Sequence, residues 1–151
     1  MAKRTLAAKS ICLTLVLAIG VVLAAGRISP AAPVRTFKMT MTSYKFTPDL
    51  VTVNEGDRVI IQLEDIDPKP DQGHALASPY FSTVDLAVRG QAKIGTTRDG
   101  WRMVQVDPRG KAEVEFTAKG RGQWQFICPY SNHAANGQTG AFVIWPAEYR
   151  Q

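Results

Sequence analysis

Beyond residue 34 the chain repeats one pattern. Apolar and polar residues alternate with period two, in short runs closed by Gly, Pro, Asn or Asp. In Asp57–Leu63 (DRVIIQL), Val59, Ile61 and Leu63 share a face. In Lys111–Thr117 (KAEVEFT), Ala112, Val114 and Phe116 oppose Lys111, Glu113 and Glu115. In Gly122–Cys128 (GQWQFIC), Trp124 and Phe126 alternate with Gln123 and Gln125, and Thr139–Trp145 (TGAFVIW) is a last apolar run. Successive side chains of a strand point to opposite faces, so each run builds a half-buried strand. Turn signals divide them at Asn54–Asp57, Asp67–Gly73, Asp107–Gly110 and Lys119–Gly122. No stretch sustains a helical period. The expected fold is all-β, an antiparallel sandwich or barrel. Asp85–Gly100 is the least patterned region and is expected to be a long excursion between strands, with room for a short helix.

The N-terminus differs in kind. Met1–Ser10 is basic, and Ile11–Ala25 is an unbroken apolar run followed by small residues. It is shorter than a usual span of about 20 residues and matches a secretory signal. An uncleaved anchor is the competing reading. Cys12 lies inside the run, which argues against a lipoprotein. The expected organisation is a signal or anchor over 1–26, a linker over 27–33 and one domain over 34–151. The domain is expected to work in the periplasm or another extracytoplasmic space. Of the net charge of +5, residues 1–26 supply three, and the remainder has 15 basic against 13 acidic residues. The high pI is therefore no evidence for a nucleic-acid-binding surface, and no nucleic-acid partner is expected.

Export leaves the domain a single cysteine, Cys128, which has no partner for an internal disulfide. A lone thiol in an oxidising compartment must be buried or occupied. The two histidines of the chain are His74 and His133. Cys128, His133 and Gln138 fall in one loop, Cys128–Gly140 (CPYSNHAANGQTG), between two strong strands, while His74 opens an apolar segment about fifty residues upstream. Taken singly, each residue is more simply a core or loop side chain. Together, a thiolate, two imidazoles and a weak fourth donor are the ligand set of a mononuclear type 1 copper site cycling between Cu(I) and Cu(II). The carboxylates Glu64, Asp65, Asp67 and Asp71 read as a solvated turn, or alternatively as an acidic docking patch for a basic partner.

These residues resemble the cupredoxins, the type 1 blue copper proteins. Tyr44–Val59 (YKFTPDLVTVNEGDRV) resembles the family's early strands, and Cys128–Gly140 its ligand loop. The resemblance implies a Greek-key β-sandwich or barrel, with His74, Cys128 and His133 as equatorial ligands of one copper ion. It places Gln138 where the family usually has its axial Met, as in stellacyanin-like sites. An amide oxygen there favours Cu(II) and lowers the reduction potential. Pro129 has no N–H, which predicts weaker hydrogen bonding to the thiolate. The segment 78–100 is long for a minimal family member.

The expected function is one-electron transfer, not catalysis, with His133 exposing an edge and redox partners docking transiently around its loop. Copper handling in the exported compartment is one alternative. Small-molecule redox chemistry at an open copper site is another. A binuclear site would need a second cysteine in the loop.

Overall fold

In this computed structural model the described residues are 31–149. The expected leader over 1–26 and the first part of the linker lie outside them. The alternating runs form β1 (Val34–Thr42), β2 (Lys45–Thr47), β3 (Leu50–Asn54), β4 (Arg58–Asp65), β5 (His74–Ser78), β6 (Ala87–Gly90), β7 (Ala92–Thr96), β8 (Arg102–Val106), β9 (Lys111–Thr117), β10 (Gly122–Ile127) and β11 (Thr139–Trp145). Single 3-10 turns cover Pro79–Ser82 and Ala147–Tyr149. One sheet runs β2-β1-β4-β9-β6, and the other runs β3-β11-β10-β5-β8-β7.

The all-β sandwich is as expected, but it is not wholly antiparallel. β1 pairs with β4 in parallel, and β3 pairs with β11 in parallel. The cause is the crossing of the chain between sheets: β3 joins the second sheet before β4 returns to the first beside β1. The turn linking them is the expected one. Asp57 N–H bonds back to the Asn54 carbonyl at 3.0 Å, and the Asp57 carboxylate accepts from Asn54 N–H at 2.9 Å.

The 78–100 segment departs from the expected unpatterned excursion. It contains a 3-10 turn and then β6 and β7, which pair with β9 and β8 respectively. One strand edges each sheet, and the chain changes sheets at Gly90–Gln91. These strands are short and their faces largely exposed, so they carry almost no alternation signal.

The period-two parity decides what is buried. Val59, Ile61 and Leu63 of β4 point into the core with Ala112, Val114 and Phe116 of β9. Phe142 lies at the centre, its ring 4.8 Å from Phe126, 5.5 Å from Phe81 and 5.7 Å from Tyr80. Burying each such ring contributes roughly 1.5–3 kcal/mol. Tyr80 also donates to the Lys119 carbonyl at 3.0 Å and accepts from Lys119 N–H at 2.9 Å, which satisfies its hydroxyl in the core.

Gly140, at the start of β11, shows how tightly the loop end is packed. A Cβ there would strike the Asp49 carbonyl and the Phe126 ring. Neither the backbone nor a fully buried ring can move aside. Gly140→Ala is therefore expected to cost about 3 kcal/mol or more in a chemical unfolding experiment. A loss below ~0.5 kcal/mol would show that the ligand loop is loosely seated.

Candidate metal centre

Three strand ends meet at one end of the sandwich. β10 pairs with β5 through Ile127↔Ala77, so Cys128 emerges beside the start of β5, where His74 stands. β10 and β11 are hairpin partners from Gly122↔Ile144 to Ile127↔Thr139. The loop between them holds Cys128, His133 and Gln138. It is closed by its own backbone: Cys128 N–H bonds to the Gln138 carbonyl at 3.0 Å, and Gln138 N–H bonds to the His133 carbonyl at 2.9 Å.

His74, Cys128 and His133 are all buried, and one ligand atom from each lies within 4.8 Å of the others. Cys128 Sγ is 3.9 Å from His74 Nδ1 and 3.4 Å from His133 Nδ1. A three-coordinate ion, with bonds of about 2.3 Å to sulfur and about 2.0 Å to nitrogen, sets such atoms about 3.8 Å apart. The donors are therefore already spaced to hold an ion between them. Gln138 is also fully buried, and its amide Nε2 and Oε1 lie 3.0 and 3.1 Å from His74 Nδ1.

The two ligand types differ in protonation: His133 is ready to bind a metal, whereas the Cys128 thiol must lose its proton on binding. Burial, followed by the neighbouring His74, lowers the pKa of His133, so its imidazole is neutral at neutral pH. Burial raises the pKa of the Cys128 thiol. The backbone N–H groups of Ala75 and Tyr130 oppose that rise, and the nearby Asp65 adds to it. Pro129 itself has no N–H to offer the sulfur, as expected from the sequence. Tyr130 next in the loop and Ala75 on β5 are the neighbouring N–H groups whose influence opposes the rise.

Two further corrections concern exposure. His133 was expected to present an open edge, yet it is only 5% exposed. The Gln72 amide sits 2.5 Å from its Nε2, and the Tyr44 ring meets it edge-on at 5.5 Å. The acidic turn is not all solvated either. Asp65 and Asp67 are buried, which also removes them from any acidic docking patch. Asp65 Oδ1 accepts from Asp67 N–H at 2.9 Å. Asp67 Oδ2 accepts from the Ser43 hydroxyl at 2.6 Å, from Ser43 N–H and from His74 Nε2 at 3.2 Å. Its Oδ1 accepts from Lys69 N–H at 2.9 Å. Burial opposes ionisation of Asp67, but these hydrogen bonds outweigh it and hold the carboxyl well below the usual carboxylate range. A signal for this burial was present in the sequence. Positions 65 and 67 continue the inward parity of Val59, Ile61 and Leu63.

The family model for the cupredoxin-like domain matches residues 14–139, and this chain belongs to that family. Family and donor set together support one copper ion. No curated protein sequence matches the chain. Among solved structures it is similar to the dithionite-reduced auracyanin of the photosynthetic bacterium Roseiflexus castenholzii. That match has 16% identity and a TM-score of 0.54, over 74% of this chain and 97% of that one. It is also similar to auracyanin A, described as a blue copper protein, of Chloroflexus aurantiacus. There the identity is 16% and the TM-score 0.50, over 74% of this chain and 98% of that one. A multicopper oxidase from Pediococcus acidilactici matches at 14% identity and a TM-score of 0.56. It covers 85% of this chain but only 29% of the oxidase. At these identities the likenesses show the fold.

Cys128 is fully buried, and burial holds its thiol above its ordinary pKa. A thiol reagent is therefore expected to modify the native apoprotein far more slowly than the unfolded chain, and faster as pH rises toward the elevated pKa. Equal rates for native and unfolded protein would contradict this placement.

Proposed function

We propose that this protein is an exported one-electron carrier that holds a single copper ion through His74 Nδ1, Cys128 Sγ and His133 Nδ1, with Gln138 as the axial ligand. The observation that carries the reading is the convergence of three buried donor atoms at metal-ligand spacing. When bound, copper supplies a one-electron couple between Cu(I) and Cu(II). The protein supplies rigidity and exclusion of water. Cys128 and His133 are fixed by a loop whose two ends are hydrogen-bonded to each other. His74 is fixed by the sheet. Donors held this way keep their positions when the charge between them changes, which favours fast electron exchange over ligand rearrangement.

Burial of the set supports a carrier over a metal donor, because exchange of a buried ion is slow. Export is read from the apolar segment Ile11–Ala25. Redox partners would dock at the end of the sandwich where His133 lies under Gln72 and Tyr44. The contact of the buried Gln138 amide with His74 Nδ1 supports the axial reading. An amide oxygen is a harder donor than the usual thioether and favours Cu(II).

Copper titration of the purified protein is expected to load one equivalent and develop an intense thiolate-to-copper band in the visible spectrum. Cys128→Ala is expected to abolish the band. Binding without the band would contradict the ligand assignment. Gln138→Met is expected to keep the band and raise the reduction potential, and an unchanged potential would remove Gln138 from the axial position. Gln72→Ala uncovers the Nε2 edge of His133, so electron self-exchange is expected to quicken with the band unaltered. An unchanged rate would mean that electrons leave by another route.

A further inference from the structure

Asp67 is the one carboxylate bound directly to a candidate ligand among the described residues, and its surroundings are specific. β1 and β4 run parallel, with Met41 opposite Asp65. Two residues further along, the same register brings Ser43 to Asp67, where both the N–H and the hydroxyl of Ser43 bond to Oδ2. The third donor to that oxygen is His74 Nε2. Both partners of this contact are fully buried. Asp67 makes no salt bridge to Lys or Arg among the described residues. Its charge is therefore held by hydrogen bonds alone.

A buried carboxylate is a costly way to orient an imidazole. A backbone carbonyl or a neutral amide would accept the same hydrogen bond. What a carboxylate adds is a full negative charge in a low-dielectric site, one imidazole away from the ion. Such a charge stabilises the more positive oxidation state. The hydrogen bond has a second effect. With its hydrogen on Nε2 and directed at Asp67, His74 presents an unprotonated Nδ1 to Cys128 and Gln138.

We propose that Asp67 is a positioning residue of the copper site: it fixes His74 as the Nε2–H tautomer, and its buried negative charge biases the bound ion toward Cu(II). This rests on the assignment of His74, Cys128 and His133 as copper ligands, and it names Asp67, beside Gln138, as a group that lowers the potential.

The test has two parts. In the metal-free wild-type protein, nitrogen NMR of His74 is expected to show a protonated Nε2 and a bare Nδ1. The opposite tautomer overturns the positioning role, whatever any variant does. In the second part, Cu(II) and Cu(I) affinities are measured by competition for the wild type, Asp67→Asn and Asp67→Ala. The asparagine keeps an acceptor for His74 and removes the charge. Asp67→Asn is expected to keep the thiolate band and to lose at least tenfold more affinity for Cu(II) than for Cu(I). For one electron that difference raises the potential by about 59 mV per tenfold. Asp67→Ala removes the acceptor as well and is expected to weaken both states further. Equal losses for Cu(II) and Cu(I) in Asp67→Asn overturn the charge role. A wild-type protein without the thiolate band overturns the ligand assignment itself, so the two failures are distinguishable.

Discussion

The metal end of this protein depends on the pairing of one short strand, β5, with β10. All five residues of β5 are buried, because the strand sits inside its sheet with the core on one face. On the other face Ala75 and Ala77 lie under Met103, Ile127 and Tyr130. A strand enclosed on both faces has no freedom to slip in register. Its first residue, His74, is therefore delivered to a fixed point beside Cys128. The N–H of Ala75, next along the strand, opposes the burial-driven rise of the Cys128 thiol pKa. The same pairing thus sets a candidate ligand and an N–H group near the thiol.

Around this point the fold gathers polar groups that it could not otherwise bury. Cys128, His74, His133, Gln138, Asp65 and Asp67 are all buried at one end of the sandwich. Buried polar atoms are tolerated only when partnered, and here most partners are backbone amides from strand ends and the ligand loop. The aromatic core around Phe142 supplies the stability on which such a site draws. Phe126, two residues before Cys128, links the two directly: it packs on Phe142 and lies against Gly140 at the other end of the loop.

Much of this was legible in the sequence, for physical reasons. The long strands alternate strictly because one face meets the core, so β4, β9, β10 and β11 were visible within a residue or two. The three candidate metal donors were visible because the residue types are scarce, with one thiol and two imidazoles beyond the apolar segment. β6 and β7 were not, since edge strands with mostly exposed faces have little pattern to read. Parallel pairing was also hidden, because it depends on where the chain crosses between sheets. Asp65 and Asp67 were misread as solvated because charge in a Pro-rich turn normally means exposure. Only the continuing parity of β4 marked them as inward. The cover over His133 was invisible, as Gln72 and Tyr44 are brought to it by tertiary structure alone.

The central claim is that a thiolate and two imidazoles hold one copper ion in an arrangement the protein fixes in advance. X-ray absorption at the copper edge, recorded on the oxidised and the reduced protein, tests it most directly. The account predicts one short sulfur neighbour and two nitrogen neighbours in both states, with distances that barely change on reduction. Absence of the sulfur neighbour, or loss of a nitrogen neighbour on reduction, would contradict it.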